Sequence, residues 1–90
     1  MKSFLFSVHD RASGVYDRPF DARSYAEATR FFSDLAVNPD HPIGKHPDDF
    51  TLFCVGTWDD NTGAVDPQVP EKLINGLEVL SARSEVDSGA

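Results

Sequence analysis

The stretch Ser24-Tyr25-Ala26-Glu27-Ala28-Thr29-Arg30-Phe31-Phe32-Ser33-Asp34-Leu35-Ala36 decides the fold. Ser24 is spaced to cap the backbone N–H of Glu27, and the Glu27 carboxylate to reach back to the N–H of Ser24, the reciprocal pairing of a capping box. Tyr25, Ala28, Phe31, Phe32, Leu35 and Ala36 recur at helical spacing and predict one buried stripe. Arg30 lies on the opposite face between Glu27 and Asp34, at spacings that favour ion pairs. Asn38-Pro39 ends the helix, because the residue before proline disfavours the α region.

Strand patterns flank this helix. Upstream, Phe4, Phe6 and Val8 alternate with Leu5, Ser7 and His9, which predicts a strand over 3–9 with one apolar row on the core. Asp10, Ser13 and Gly14 supply turn chemistry. Val15-Tyr16 and Phe20 predict a return strand that Pro19 confines to a sheet edge, so residues 3–20 read as a hairpin. Downstream, three prolines and a glycine in residues 38–49 predict a stiff loop without regular structure, suited to recognition or to crossing the sheet. Residues 50–58 read as a strand with Phe50, Leu52, Cys54 and Trp58 on one face and Phe53 and Val55 on the other. Apolar residues on both faces mark a central strand, or one whose outer face meets a partner. Asp59-Asp60-Asn61-Thr62-Gly63 reads as a turn into a short strand at 64–66.

Residues 67–81 carry two readings. Pro70 at a first helical turn with Leu73, Ile74, Leu77 and Leu80 fits a short amphipathic helix, at a cost of about 1 kcal/mol for Gly76. Asn75-Gly76 equally fits a two-residue hairpin turn between 72–74 and 77–79. The order of elements predicts an α+β fold, a small antiparallel sheet (β-β-α-β-β core) with one helix packed on a face. Residues 1–81 form a single domain in this reading, and 82–90 have the small, polar and acidic composition of a disordered tail.

At 90 residues, with 40% apolar side chains, the chain supports one modest core and leaves little room for a deep pocket. No apolar run approaches the roughly 20 residues of a membrane helix. The apolar start meets His9, Asp10 and Arg11 too early for a signal peptide, and Cys54, the single cysteine, excludes an intramolecular disulfide and a cysteine-built zinc site. A soluble intracellular protein is expected. Residues 1–45 balance Lys2, Arg11, Arg18, Arg23, Arg30 and Lys45 against six carboxylates, so the whole net charge of −7 falls in residues 46–90. That half repels a polyanion, and phosphate contacts are expected from the arginines of the first half.

Candidate chemistry is sparse. His41 and His46 with Asp48 and Asp49 offer metal-ligating groups, but on a prolyl loop without the fixed orientation of a helical pair, and no metal or other cofactor is expected. The acidic turn 59–63 fails the calcium-loop spacing, since the sixth and twelfth positions are Ala64 and Pro70. Cys54 reads as a buried structural thiol, and no nucleophile elbow or glycine-rich phosphate loop occurs. An enzyme is not expected. Arg11, Arg18, Arg23 and Arg30, with Tyr16, Phe20 and Tyr25 nearby, form the candidate nucleic-acid-binding set: guanidinium groups for phosphates and aromatic rings for stacking single-stranded bases. The bland alternative is a series of solvated ion pairs with Asp10, Asp17, Asp21 and Glu27.

The runs Phe6-Ser7-Val8-His9-Asp10-Arg11-Ala12-Ser13-Gly14-Val15-Tyr16, Pro19-Phe20, Glu27-Ala28-Thr29-Arg30-Phe31-Phe32 and Asn38-Pro39 resemble the small nonstructural protein of gokushovirus-type Microviridae, single-stranded DNA phages. So do His46-Pro47-Asp48-Asp49-Phe50-Thr51-Leu52-Phe53 and Gly56-Thr57-Trp58-Asp59-Asp60-Asn61-Thr62-Gly63, so that the likeness spans residues 3–66. The family pattern tends to carry an aromatic where this chain has His9, and the acidic tail is a second departure. The resemblance implies a nonstructural protein made in the cytoplasm of the infected host and absent from the mature virion. It implies a DNA-binding role in switching genome replication to single strands for packaging, with no catalytic residues. Alternatively, the chain is a non-enzymatic adaptor, a dimer that docks a replication or capsid protein through the outer face of the 50–58 strand and the prolyl loop.

Overall fold

The structure is a computed structural model that describes residues 1–88, with side chains described through Arg83. Strand β1 (Lys2–Asp10) is followed by two short return strands, β2 (Val15–Tyr16) and β3 (Phe20–Ala22), then by helix α1 (Tyr25–Ala36). A short helix α2 (Pro42–Lys45) and a 3-10 turn (Pro47–Asp49) lead into β4 (Phe50–Asp59), β5 (Val65–Asn75) and helix α3 (Gly76–Ser88). The sheet is antiparallel in the order β2-β1-β4-β5, and β3 pairs with the other end of β1 on the same edge as β2. This is the α+β architecture expected from the alternation of patterns. No helix among the described residues is long and apolar enough to cross a membrane.

All three helices send their buried side chains to one face of the sheet. Ala28, Phe32 and Ala36 of α1, Ile43 of α2 and Val79 of α3 pack on Phe6, Leu52 and Cys54. Ser24 caps α1 as expected, its hydroxyl accepting from the Glu27 N–H at 3.1 Å. The Glu27 carboxylate reaches one residue further than a capping box predicts, accepting from the Arg23 N–H at 3.4 Å. Phe31 departs from the predicted stripe and is 52% exposed, its ring packing on Phe20 of the edge strand β3 and not in the core. Arg30 makes no ion pair with Glu27 or Asp34.

The prolyl loop is not irregular throughout. Pro42 and Pro47 stand at the start of short helical turns, where a missing N–H costs nothing and a fixed φ suits the helix. Residues 67–81 follow neither of their two readings. β5 continues to Asn75, and α3 begins at Gly76. Asn75 starts a helix instead of turning a hairpin: its Oδ1 accepts from the Leu77 N–H at 2.9 Å, and Glu78 accepts from the Asn75 N–H at 3.3 Å. Gly76 is required by space, since a Cβ there would stand 2.2 Å from the Pro47 carbonyl oxygen. Helix α3 runs on through residues 82–88 of the stretch whose composition suggests a disordered tail. The tail expectation for residues 89–90 lies outside the described residues.

One irregularity redirects β4. The β1–β4 register passes from Leu5↔Gly56 to Phe6↔Cys54, leaving Val55 as a bulged residue with no partner on β1. A one-residue slip exchanges the two faces of a strand. Simple alternation puts Trp58 on the Cys54 face. In the structure Trp58 pairs with Ser3 instead, on the face away from the helices, and is 37% exposed.

Candidate nucleic-acid interface

The register assigns Ser3, Leu5, Ser7 and His9 of β1 to the helix-free face, with Thr51, Phe53, Gly56 and Trp58 opposite them on β4. Tyr16 extends this surface across the edge beside His9, and Val65, Pro67, Lys72 and Asn75 extend it on β5. Three rings gather at one end. His9 and Tyr16 lie 4.7 Å apart between centroids, Tyr16 and Phe53 5.5 Å, and His9 and Phe53 6.2 Å. Ser7 lies beneath this cluster, its hydroxyl donating to the Asp17 carbonyl at 2.6 Å. Trp58 stands five residues along β4 from Phe53, about 15 Å away at the rise of a strand.

The electrostatics of this face differ from those of the chain. Among its register-assigned residues Asp21, opposite Leu5 on β3, is the one carboxylate. Asp66 and Glu71 fall opposite Thr57 and Cys54, on the helix side or its rim. Lys72, opposite Phe53 in the register, stands at the rim: it also lines the groove between α1 and β5, and its Nζ is held 2.7 Å from the Glu78 carboxylate. That contact keeps the Glu78 carboxyl below its ordinary range. The surface is therefore aromatic, hydroxyl-bearing and close to neutral on a chain of net charge −7.

The structure does not gather the residues expected to bind nucleic acid. Arg11 is committed to Asp48 at 3.2 Å and Asp49 at 2.9 Å, which lock the first turn to the 3-10 turn before β4. Arg18 lies in the β2–β3 connection, Arg23 precedes α1, and Arg30 sits over a groove between α1 and β5. Of the expected stacking residues, Tyr16 alone is on the helix-free face. Phe20 packs on Phe6 and Phe31, with centroids 5.9 and 5.2 Å away. Tyr25 stands edge-on to Phe4 at 5.1 Å and Phe6 at 5.6 Å. The Cys54 thiol and the Glu71 carboxylate beside its hydroxyl, together with desolvation, push the phenol above its ordinary range. His9, Phe53 and Trp58 were outside the expected set. The signal for Phe53 was present in the two-faced apolar pattern of its strand, whereas Trp58 was hidden by the bulge.

The class the fold defines is a small α+β protein, an antiparallel sheet backed by helices on one face and carrying aromatic side chains on the other. Residues 3–79 match the phage ORF5 protein family, and the chain belongs to that family. No curated protein and no solved structure matches it.

Proposed function

We propose that this phage protein is a non-enzymatic single-stranded DNA-binding protein that stacks bases on its helix-free sheet face. The observation that carries the reading is the ring cluster of His9, Tyr16 and Phe53 on the helix-free face, where Asp21 is the one carboxylate among the register-assigned strand residues. Ring faces accept any base once it is unpaired, and each stack is worth about 1–3 kcal/mol. Duplex DNA keeps its bases from such a surface. The resemblance of residues 3–66 to the gokushovirus nonstructural protein supports the finer assignment to Microviridae. It also supports action in the host cytoplasm at the switch to single-strand synthesis and packaging, outside the mature virion.

Trp58, the chain's single tryptophan, makes the test direct. Its fluorescence is titrated with oligo-dT and with a duplex of equal length, at low and physiological salt. The expected result is quenching by the single strand alone, with affinity lowered about fivefold to a hundredfold by Phe53→Ala or Tyr16→Ala. The salt slope is expected to be shallow, because few cations meet the phosphates. A steep slope that collapses on replacing Arg23 and Arg30 would move the site to α1, and no binding at low salt would end the nucleic-acid reading.

The exposed Trp58, Val65 and Val69, the last at 87% exposure, favour a second reading. They suit an adaptor that self-associates or docks a replication or capsid protein. Sedimentation showing only monomer at micromolar concentration would remove the dimeric form of it.

A further inference from the structure

A second concavity, of about 570 Å³, opens on the helix side between the β1–β3 hairpin, the C-terminal half of α1 and helix α2. Its apolar walls are Val15, Phe20, Phe31, Leu35, Ile43 and Phe50. Two of them are left largely outside the core: Phe31 is 52% exposed and Val15 58%. The volume falls within the range of small-molecule sites, whose walls are mostly apolar with a few convergent polar groups.

The polar groups here are unequal in their commitments. Asp10 accepts from the Ala12 N–H at 2.9 Å, and Asp17 from the Arg18 N–H at 2.8 Å, so a carboxylate oxygen of each is already used. The Arg18 guanidinium has no ion-pair or hydrogen-bond partner among the described residues. His41 caps α2 by accepting at Nδ1 from the Ile43 N–H at 3.1 Å. A neutral imidazole that accepts at Nδ1 carries its proton on Nε2, which is therefore a free donor. The concavity thus combines aromatic walls, a free guanidinium and a free imidazole N–H. The remaining carboxylate oxygens of Asp10 and Asp17 suit the exocyclic amino groups of bases.

From this complementarity we infer that the concavity is a nucleotide site, holding one base among Phe20, Phe31 and Phe50 with its phosphate on Arg18 and His41. The choice of ligand rests on the nucleic-acid reading of the protein. The site opens on the other face of β1 from the sheet platform and shares Tyr16 with it at the sheet edge. Its occupant is either a free mononucleotide or a single unstacked nucleotide of a bound strand.

The test is a two-dimensional amide NMR titration of the full chain with dCMP, deoxycytidine and inorganic phosphate, alongside oligo-dC. Wild type is compared with Arg18→Gln, Phe31→Ala and Phe53→Ala. The expected result is saturable shifts with dCMP confined to residues 13–20, α1 beyond Phe31, and α2. Arg18→Gln and Phe31→Ala each weaken dCMP about tenfold, Phe53→Ala leaves it unchanged, and deoxycytidine binds more weakly with no response to Arg18→Gln. Arg18 and Phe31 are both exposed, so neither variant threatens the fold. Absence of saturable dCMP shifts at millimolar concentration, or an affinity indifferent to Arg18→Gln, overturns the site. If oligo-dC then still binds and responds to Phe53→Ala, the platform stands without the concavity. If dCMP binds as expected and no oligonucleotide does, the platform fails and the concavity remains as a free-nucleotide site. Oligonucleotide binding that responds to both Arg18→Gln and Phe53→Ala makes the occupant part of a strand.

Discussion

Asn75→Asp is the substitution that best separates two roles of one side chain. Asn75 Nδ2 donates toward three oxygens, the carbonyls of Asp48 and Phe50 at 3.1 Å each and the Thr51 hydroxyl at 3.0 Å, while Oδ1 caps α3 on the Leu77 N–H at 2.9 Å. It therefore staples the start of β4 and the turn before it to the end of β5, and begins the next helix. Aspartate is as good a helix cap as asparagine, so the cap survives the change. The staple does not: both donor protons disappear, and a negative charge faces three acceptors with the Asp48 segment beside them. Two lost hydrogen bonds and the stranded carbonyls amount to about 2–4 kcal/mol, or a fall in melting temperature of roughly 10–25 °C for a chain of this size. Asn75→Ala, which loses cap and staple but adds no charge, is expected to be no worse than Asn75→Asp at neutral pH. Unfavourable surroundings raise the folded-state pKa of the new carboxyl above its unfolded value of about 3.9. The deficit relative to wild type is then full above the folded-state value and shrinks as pH falls through it, because protonation restores one donor. Urea denaturation followed by circular dichroism, run at neutral and acid pH, reads all of this. An Asn75→Asp protein within about 0.5 kcal/mol of wild type, with alanine clearly worse, would show that capping alone sets the value of Asn75.

Other outcomes follow from close contacts and charges. Gly56→Ala sets a Cβ 2.4 Å from the Asp66 carbonyl oxygen, across the β4–β5 pairing; denaturant unfolding is expected to show a loss of about 1–3 kcal/mol, and a neutral result would mean that the two strands separate freely there. Tyr25 has a raised folded-state pKa, so its contribution to stability is full below the unfolded value of about 10 and is lost as pH climbs through the folded one. Phenolate absorbance of wild type minus Tyr25→Phe should therefore show a step above the ordinary phenol range, and a step within that range would contradict the packing of its hydroxyl against Cys54 and Glu71. Arg11→Ala removes the ion pairs to Asp48 and Asp49, whose guanidinium side is 67% exposed, so a thermal melt should stay close to that of wild type, a large fall would contradict the solvent screening of these pairs, and single-strand affinity should not change.

Much of the fold was legible because short-range chemistry and tertiary packing agree. Ser24 begins α1, Asn38-Pro39 follows its end, and the period-two row Phe4, Phe6 and Val8 faces the helices. What was not legible depended on contacts between distant segments. Asn75-Gly76 carries one chemistry that suits two structures: an asparagine that turns a hairpin is also a helix cap. The choice was made by Asp48, Phe50 and Thr51, which accept its amide, and by Pro47, which leaves room only for glycine next to it. The bulge at Val55 belongs to the same category, since nothing local to residues 54–56 announces that β1 skips one residue there. Missing that bulge put Trp58 on the face of Leu52 and Cys54. Phe31 was misread for the complementary reason: helical spacing identifies a face of α1, but not which of its positions meets the core and which the edge strand β3.

The candidate site shows the same division between what is local and what is not. Four arginines lie close in sequence, but sequence proximity does not make a surface. Arg11 turned toward the 3-10 turn, and the others fell on the hairpin, the helix entry and the groove between α1 and β5. Net charge is equally silent on how charge is distributed over the folded surface. Folding sets Asp66 and Glu71 on the helix side, while Asp48 and Asp49 take up Arg11. The strand residues of the helix-free face are chiefly rings and hydroxyls, with Asp21 among them and the Lys72–Glu78 pair beside them. An acidic protein can present such a face to a polyanion only if the bases, and not the phosphates, make the contact. Under the proposed function, that requirement favours unpaired bases over a duplex.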